Sequence, residues 1–544
     1  MSNIGLKRAG FMLSFAVAVC ISFQGCSFHD STWKDLPSRE DFRNKSVKFI
    51  RQLVDGATMA ENVERPDEIV IDQPCTVVAI FFLDGVRKAS GRSLGEEYSE
   101  VLEDAVRKLY KKGDLAELSR EDLDRGRFYV AVMFDNGKRF SFVEYNGKGL
   151  ELTGKVTAVR HLDKNLIMKN IDEGKKYLLR MIDPEMHGIF KRYDAILGDY
   201  DGRLRTIFTS STLYTLMKMG DVKKDERIEV IIPEVAGFIL SMQKQDEPYK
   251  GAFYYSYFQD TVEKENKVVV GTASKTIFTL LELYRRTGDD IYMSSAKNAG
   301  EWLLTMIGDD GEIINSMTLV GNEWAPEIKL SYLYSGQCLS AMARLYTATG
   351  DERYLKKADG LAGKFIGDSV KAKYFVNDEW RGDSDPIPTS WVVMSLLDYY
   401  KVTGDAKAKE VILFSADELI GRQNDNPRDI RDYGRYYPTA TSGGGWIVEI
   451  LSEVYDYGKK NGWVEVDKYK VSILKAIRWL IQDTYSPENT FLIRNAEKVY
   501  GGPIHQYDDD AVRTDAVCHG VNGYLGILPY LTEEDVINVP EKQM

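Results

Sequence analysis

The chain has 544 residues, 44% of them hydrophobic and 28% charged, with only 15 prolines. It is too long for one ordinary domain, and its composition excludes the disordered and fibrous classes. A net charge of −12 excludes the basic stripe with which nucleic-acid binders neutralise phosphates, and cysteines at 20, 26, 75, 338 and 518 are too scattered for a disulfide framework.

Lys7 and Arg8 followed by the apolar run from Phe11 to Phe23 read as a signal peptide over residues 1–25, too short for a comfortable membrane span. The segment Phe23-Gln24-Gly25-Cys26 resembles a bacterial lipobox, which implies lipidation of Cys26; ordinary signal cleavage nearby is the alternative. The expectation is an exported protein of the bacterial cell envelope. A lipid anchor would hold it to the membrane, on the periplasmic or outer-surface side.

Residues 26–66 read as a polar tether with one helix around Ser38 to Asp55. Residues 67–160 change to an α+β pattern. The run 76–85 is strand-like, residues 94–113 have helical period, and the strands 128–134 and 139–145 flank Asp135-Asn136-Gly137-Lys138, a hairpin signal. The stretch 83–91 with the helix after it resembles the domain family named after the AMME-syndrome candidate gene, and no function is carried from that likeness.

From Leu162 the chain is almost wholly helical. Twelve helices are expected at 163–182, 203–219, 224–243, 270–287, 289–307, 328–349, 351–367, 388–403, 405–421, 441–460, 466–484 and 514–531. Even-numbered helices close on Gly220, Gly288, Gly350 and Gly404, at spacings of 68, 62 and 54 residues, which marks a helical-hairpin repeat. Even-to-odd links are tight Gly-Asp turns. Odd-to-even links are long: 183–202, 244–269, 308–327, 368–387, 422–440 and 485–513. In an up-down ring all links of one parity share a face. The six long loops, with Asp201, Glu323, Asp385, Asp432 and Asp510, should therefore form one rim, opposite the four glycines.

Hairpin number, loop asymmetry and the repeat LYTATGDERYLKKA (345–358) resemble the six-hairpin, (α/α)6-toroid enzymes of carbohydrate metabolism. The fold class expected is thus mainly α, with the toroid over 161–535 preceded by the small α+β domain. The resemblance implies an oligo- or polysaccharide substrate. Hydrolysis by paired carboxylates is the first expectation, with a polysaccharide lyase or uronate epimerase next and a non-catalytic glycan-binding lipoprotein as the reading from another class.

Carboxylates, rings and arginines crowd the long loops, as sugar hydroxyls and pyranose faces require. The candidate catalytic carboxylates are Asp510, Asp432, Glu323 and Asp385. Candidate substrate-binding residues are His505, Tyr433, Arg435, Tyr436, Trp324, Trp380, Asp201, Arg203 and Tyr255. Arg513, Asp515 and His519 resemble the arginine-aspartate-histidine run opening the last inner helix of several six-hairpin enzymes, which implies a place on the central cavity; Cys518 stands where glutamine is more usual. Cys518-His519-Gly520 also resembles the zinc motif of lanthionine cyclases. The other toroid thiol, Cys338, would lie on the opposite wall, so neither a metal nor another cofactor is expected.

Overall fold

A computed structural model describes residues 39–59, 63–112, 114–135, 137–369 and 385–540. Cys26 and Trp380 lie outside these residues.

The N-terminal unit begins with α1 (Arg39–Met59), followed by the hairpin β1 (Asp72–Leu83) and β2 (Val86–Glu97). After α2 (Tyr98–Lys112) and α3 (Arg120–Arg125) come β3 (Arg127–Phe134), β4 (Arg139–Tyr145), β5 (Lys148–Thr153) and β6 (Val156–Thr157). The strands form one antiparallel sheet in the order β2-β1-β3-β4-β5-β6. The expected hairpin is present, with Tyr129 opposite Val143 and Met133 opposite Arg139. Two expectations are corrected. The helix read from residue 94 starts at Tyr98, because the chain is still paired as β2 up to Glu97, whose carboxylate then accepts the Ser99 N–H. The helix read as part of a free tether is α1, and it packs Phe42, Phe49, Ile50 and Leu53 into the core under the sheet.

After β7 (His161–Leu162) the toroid follows. Its outer helices are α4 (Lys164–Arg180), α6 (Glu226–Ser241), α8 (Asp290–Met306), α10 (Glu352–Ser369), α12 (Ala406–Gly421) and α14 (Tyr469–Gln482). Its inner helices are α5 (Thr206–Val222), α7 (Val270–Thr287), α9 (Tyr332–Thr349), α11 (Ile387–Thr403), α13 (Thr441–Lys460) and α15 (Thr514–Ile527). Each inner helix packs on the next, and α15 packs back on α5, so the ring closes. This is an (α/α)6 toroid. Every inner helix buries most of its surface, as a helix covered on all sides must. The seam between α13 and α15 is held close by glycines: a Cβ on Gly523 would meet the Glu449 nitrogen at 3.0 Å.

Gly288, Gly350 and Gly404 cap their helices in the left-handed conformation. Gly220 does not. There α5 runs on to Val222 and ends at an extended Lys223.

The long loops are stitched to one another. Strands β8 (Arg192–Asp194), β9 (Asp199–Tyr200) and β10 (Arg203–Arg205) come from the first. The second and third supply β11 (Ser256–Phe258), β12 (Glu263–Lys264), β13 (Lys267–Val269), β14 (Ser316–Val320) and β15 (Glu323–Glu327); the last supplies β16 (Ile504–Gln506) and β17 (Asp509–Arg513). Pairing of β17 with β8, β10 with β11, and β13 with β14 ties the last loop to the first, the first to the second, and the second to the third. Backbone groups that would lie unpaired in long loops are satisfied in this way.

The sheet also braces the last loop. Lys155 Nζ reaches both carboxylate oxygens of Asp510 at 2.9 and 2.8 Å, Phe491 enters a cluster with Phe82 and Val143, and Arg127 donates to the Pro487 carbonyl.

Candidate active site

The N-termini of α5 and α15 open at the rim, and the strands leading into them carry the charged groups. Arg205, the last residue before α5, donates to Asp201 at 3.2 Å and to the Tyr255 hydroxyl at 3.4 Å, with its guanidinium 5.5 Å from the Tyr255 ring centre. Arg513, the last residue before α15, clasps Asp515 through two hydrogen bonds of 2.9 and 2.5 Å. The Asp515 carboxyl is partly buried, which alone would raise its pKa, but Arg513, His519 and Lys191 hold it down at about 2. It is a fixed negative charge.

Lys191 is within electrostatic reach of both clasps. Burial lowers its pKa first, the Arg513 and Arg205 charges lower it further, and Asp515 and Asp201 oppose them. His505 belongs to the same group. Burial and Arg513 lower its pKa, and its Nδ1 is buried without a partner. The structure therefore brings Asp201, Tyr255, His505, Arg513 and Asp515 together at one mouth, with Lys191 and Arg205. Arg203, two residues before Arg205, turns over the Phe258 ring at 5.5 Å.

One turn below the mouth, His519 Nδ1 meets Glu449 Oε2 at 2.6 Å, and Asn522 donates to the other oxygen at 3.0 Å. Burial pushes the Glu449 pKa up, but His519, Lys275 and Lys218 outweigh it and the carboxyl is held low. Lys275 stands over Trp446 and Trp391 at 4.9 and 5.4 Å from the ring centres.

The other expected residues lie apart from this mouth. Asp510 faces Lys155 of the sheet. Glu323 is exposed where β14 turns into β15, and Trp324 beside it meets Tyr249 edge-on at 5.3 Å. Asp385 accepts the Ile387 N–H at the start of α11. Asp432 is a second cluster, bound by Arg435 at 3.1 Å and by the Tyr437 hydroxyl at 2.8 Å. Tyr436 is fully buried, bonded to Ser472 at 2.9 Å; it is a core residue, and burial raises its pKa far from any proton-shuttle range. Tyr433 is 9% exposed, packed under Arg478 and Lys475. Near Asp432 the buried Asp483 has its pKa raised to about 7, by burial first.

Sequence reasoning passed over Lys191, Lys275 and Glu449. Glu449 lies inside α13 and belongs to no motif; only the glycines one turn before it, Gly444 and Gly445, hint at a close helix contact. The thiols of Cys338 and Cys518 are both buried, each with its pKa pushed up to about 12 by burial. Among the described residues no group of three His, Cys, Asp or Glu side chains could hold a metal ion.

Residues 262–380 match the model of glycosyl hydrolase family 76. No curated protein matches the chain. Among solved structures, the cellobiose 2-epimerase of Bacillus thermoamylovorans is 14% identical with a TM-score of 0.52, over 68% of this chain and 100% of that one. An unsaturated glucuronyl hydrolase specific for heparin is 13% identical (TM-score 0.49, 68% and 98% covered). A family 76 alpha-mannanase of Bacteroides thetaiotaomicron is 14% identical (TM-score 0.47, 67% and 96% covered). The likeness to the epimerase is one of fold, the six-hairpin toroid.

Proposed function

On the premise of a six-hairpin toroid, we propose that the protein is a carbohydrate-active enzyme, a glycoside hydrolase whose bond-breaking site is the mouth above α5 and α15. One observation carries this: Lys191, Arg205 and Arg513 gather the carboxylates of Asp201 and Asp515 at one opening. Two carboxylates at one opening are the minimum equipment of glycoside hydrolysis, one to transfer a proton and one to activate water or attack the anomeric carbon. Tyr255 offers a ring for a pyranose face, and the family 76 match over 262–380 supports hydrolysis over other sugar chemistry. The substrate is an oligo- or polysaccharide.

Export and lipidation at Cys26 complete the proposal: an enzyme of the cell envelope that meets glycans outside the cytoplasm.

A second reading has its own observation. Because Glu449 holds His519 Nδ1, the other ring nitrogen is oriented and a proton can be taken or given there, which suits a sugar epimerase. Incubating the purified protein with neutral and uronate-containing oligosaccharides separates the readings. New reducing ends support hydrolysis, absorbance of an unsaturated uronate supports elimination, and an epimerised sugar without cleavage supports the His519 reading. Binding without any product overturns the enzyme.

A further inference from the structure

Below the mouth, the inner helices enclose a cavity of about 20 Å³, lined by Lys218, Lys275, Arg344, Glu449, Glu453 and His519 among others. Its ionic groups are paired with one exception. Lys218 bonds Glu453 at 2.9 Å, Arg344 bonds Asp398 at 2.9 Å, and Glu449 takes His519 and Asn522. Lys275 has no hydrogen-bond or ion-pair partner among the described residues. Three rings surround its ammonium instead: Trp446, Trp391 and Phe278, at 4.9, 5.4 and 5.5 Å.

Rings alone are a poor exchange for water. A cation–π contact contributes about 0.5–2 kcal/mol, whereas an ammonium has three N–H donors that water would otherwise satisfy. A second donor waits beside it. The Trp446 ring is 3% exposed and its Nε1–H, buried, also lacks an acceptor. A charged donor without an acceptor on the cavity wall suits an anionic oxygen.

The size of the cavity says how much of a ligand enters. About 20 Å³ admits a water or the end of a small group, not a pyranose ring. A ring must stay above, at the mouth, with an exocyclic group directed down. Lys191, Arg192, Arg203, Arg205 and Arg513 border the mouth, the arginines paired with the carboxylates of Asp194, Asp509, Asp201 and Asp515.

We propose that Lys275 receives the carboxylate of an acidic sugar, so that the glycan processed at the mouth presents a uronic acid there. The inference rests on the mouth being a sugar site, and it adds the class of sugar. Burial first, then the Arg344 and Lys218 charges, lower the Lys275 pKa against the pull of Glu449, so an arriving carboxylate would favour the ammonium.

The test is binding to the full chain, by calorimetry or ligand-observed NMR. Glucuronate, galacturonate and mannuronate are compared with glucose, galactose and mannose. At least one uronate should bind more tightly than its neutral counterpart. Lys275→Met should cost that uronate about tenfold or more in affinity while leaving the neutral sugar unchanged, and Lys275→Arg should restore much of the loss. The Met variant should fold, because Lys275 has no hydrogen-bond or ion-pair partner among the described residues that its loss would strand and Met has a similar volume. Equal binding of neutral and acidic sugars, undiminished uronate binding by Lys275→Met, or no uronate binding at all overturns the inference. Cleavage of neutral oligosaccharides without uronate preference would overturn it while leaving the hydrolase reading intact. Uronate binding that depends on Lys275 without any cleavage would do the reverse.

Discussion

Nδ1 of His519 stands 2.6 Å from Oε2 of Glu449, across the seam where α13 and α15 approach through Gly523. Glu449 is 5% exposed, so the pair is held out of bulk water, where removing one partner costs far more than at a surface. The contact links a rim helix to its neighbour in the wall of the cavity.

Glu449→Gln should therefore destabilise the protein by about 1–3 kcal/mol at neutral pH, measured by urea unfolding. The pH dependence has a definite sign. The folded Glu449 pKa is lowered, so its contribution is present above the unfolded carboxylate value of about 4.3 and is lost as pH falls through the lower folded value. Wild type should lose stability on acidification more steeply than the Gln variant.

Asp483 should behave in the opposite sense. Its folded pKa is raised to about 7, chiefly by burial, against about 3.9 unfolded. Stability tied to this group is full below about pH 4 and falls as pH rises toward about 7, by up to about 4 kcal/mol for a shift of that size. Asp483→Asn keeps an acceptor for the Tyr507 hydroxyl, now at 3.2 Å, and should flatten this slope. Thermal unfolding between pH 4 and pH 8 checks it; parallel profiles would refute it.

The contact between sheet and toroid should depend more on backbone fit than on charge. Lys155 and Asp510 are 28% and 20% exposed, so Lys155→Met should cost less than about 1 kcal/mol. Gly85 has φ +73°, and a Cβ there would meet the Ile493 carbonyl carbon at 2.4 Å. Gly85→Ala should cost about 1–3 kcal/mol and raise amide exchange across residues 485–513. The comparison of the two variants is made by denaturation and hydrogen exchange.

The helical ring was legible in the sequence because each hairpin repeats the same local instructions. Left-handed glycine caps at Gly288, Gly350 and Gly404 and 3.6-residue apolar periods act within one helix and its neighbour. Strand β2 was not legible. Its VRKASGRSLGEE sequence is polar, and only pairing with β1 makes it a strand. The rim was legible in part. Arg513, Asp201, Tyr255 and His505 stand in loops that parity places on one face, and they meet Asp515 in the first turn of α15. Asp510 could not be separated from them by sequence, because its partner Lys155 lies 355 residues away in the sheet. Lys275 and Glu449 sit inside helices with no motif, and what distinguishes them, burial and the absence or presence of a partner, exists only after the ring has closed.

The most direct test of the account is the release of reducing ends from oligosaccharides by wild type, Asp201→Asn and Asp515→Asn. Each variant keeps the shape of the residue and removes a carboxylate from the mouth. Wild type should cleave at least one substrate, and each variant should lose about 10²–10⁴-fold in turnover while the helical circular-dichroism signal persists at the assay temperature. Wild-type turnover in both variants would contradict the placement of the chemistry between Asp201 and Asp515.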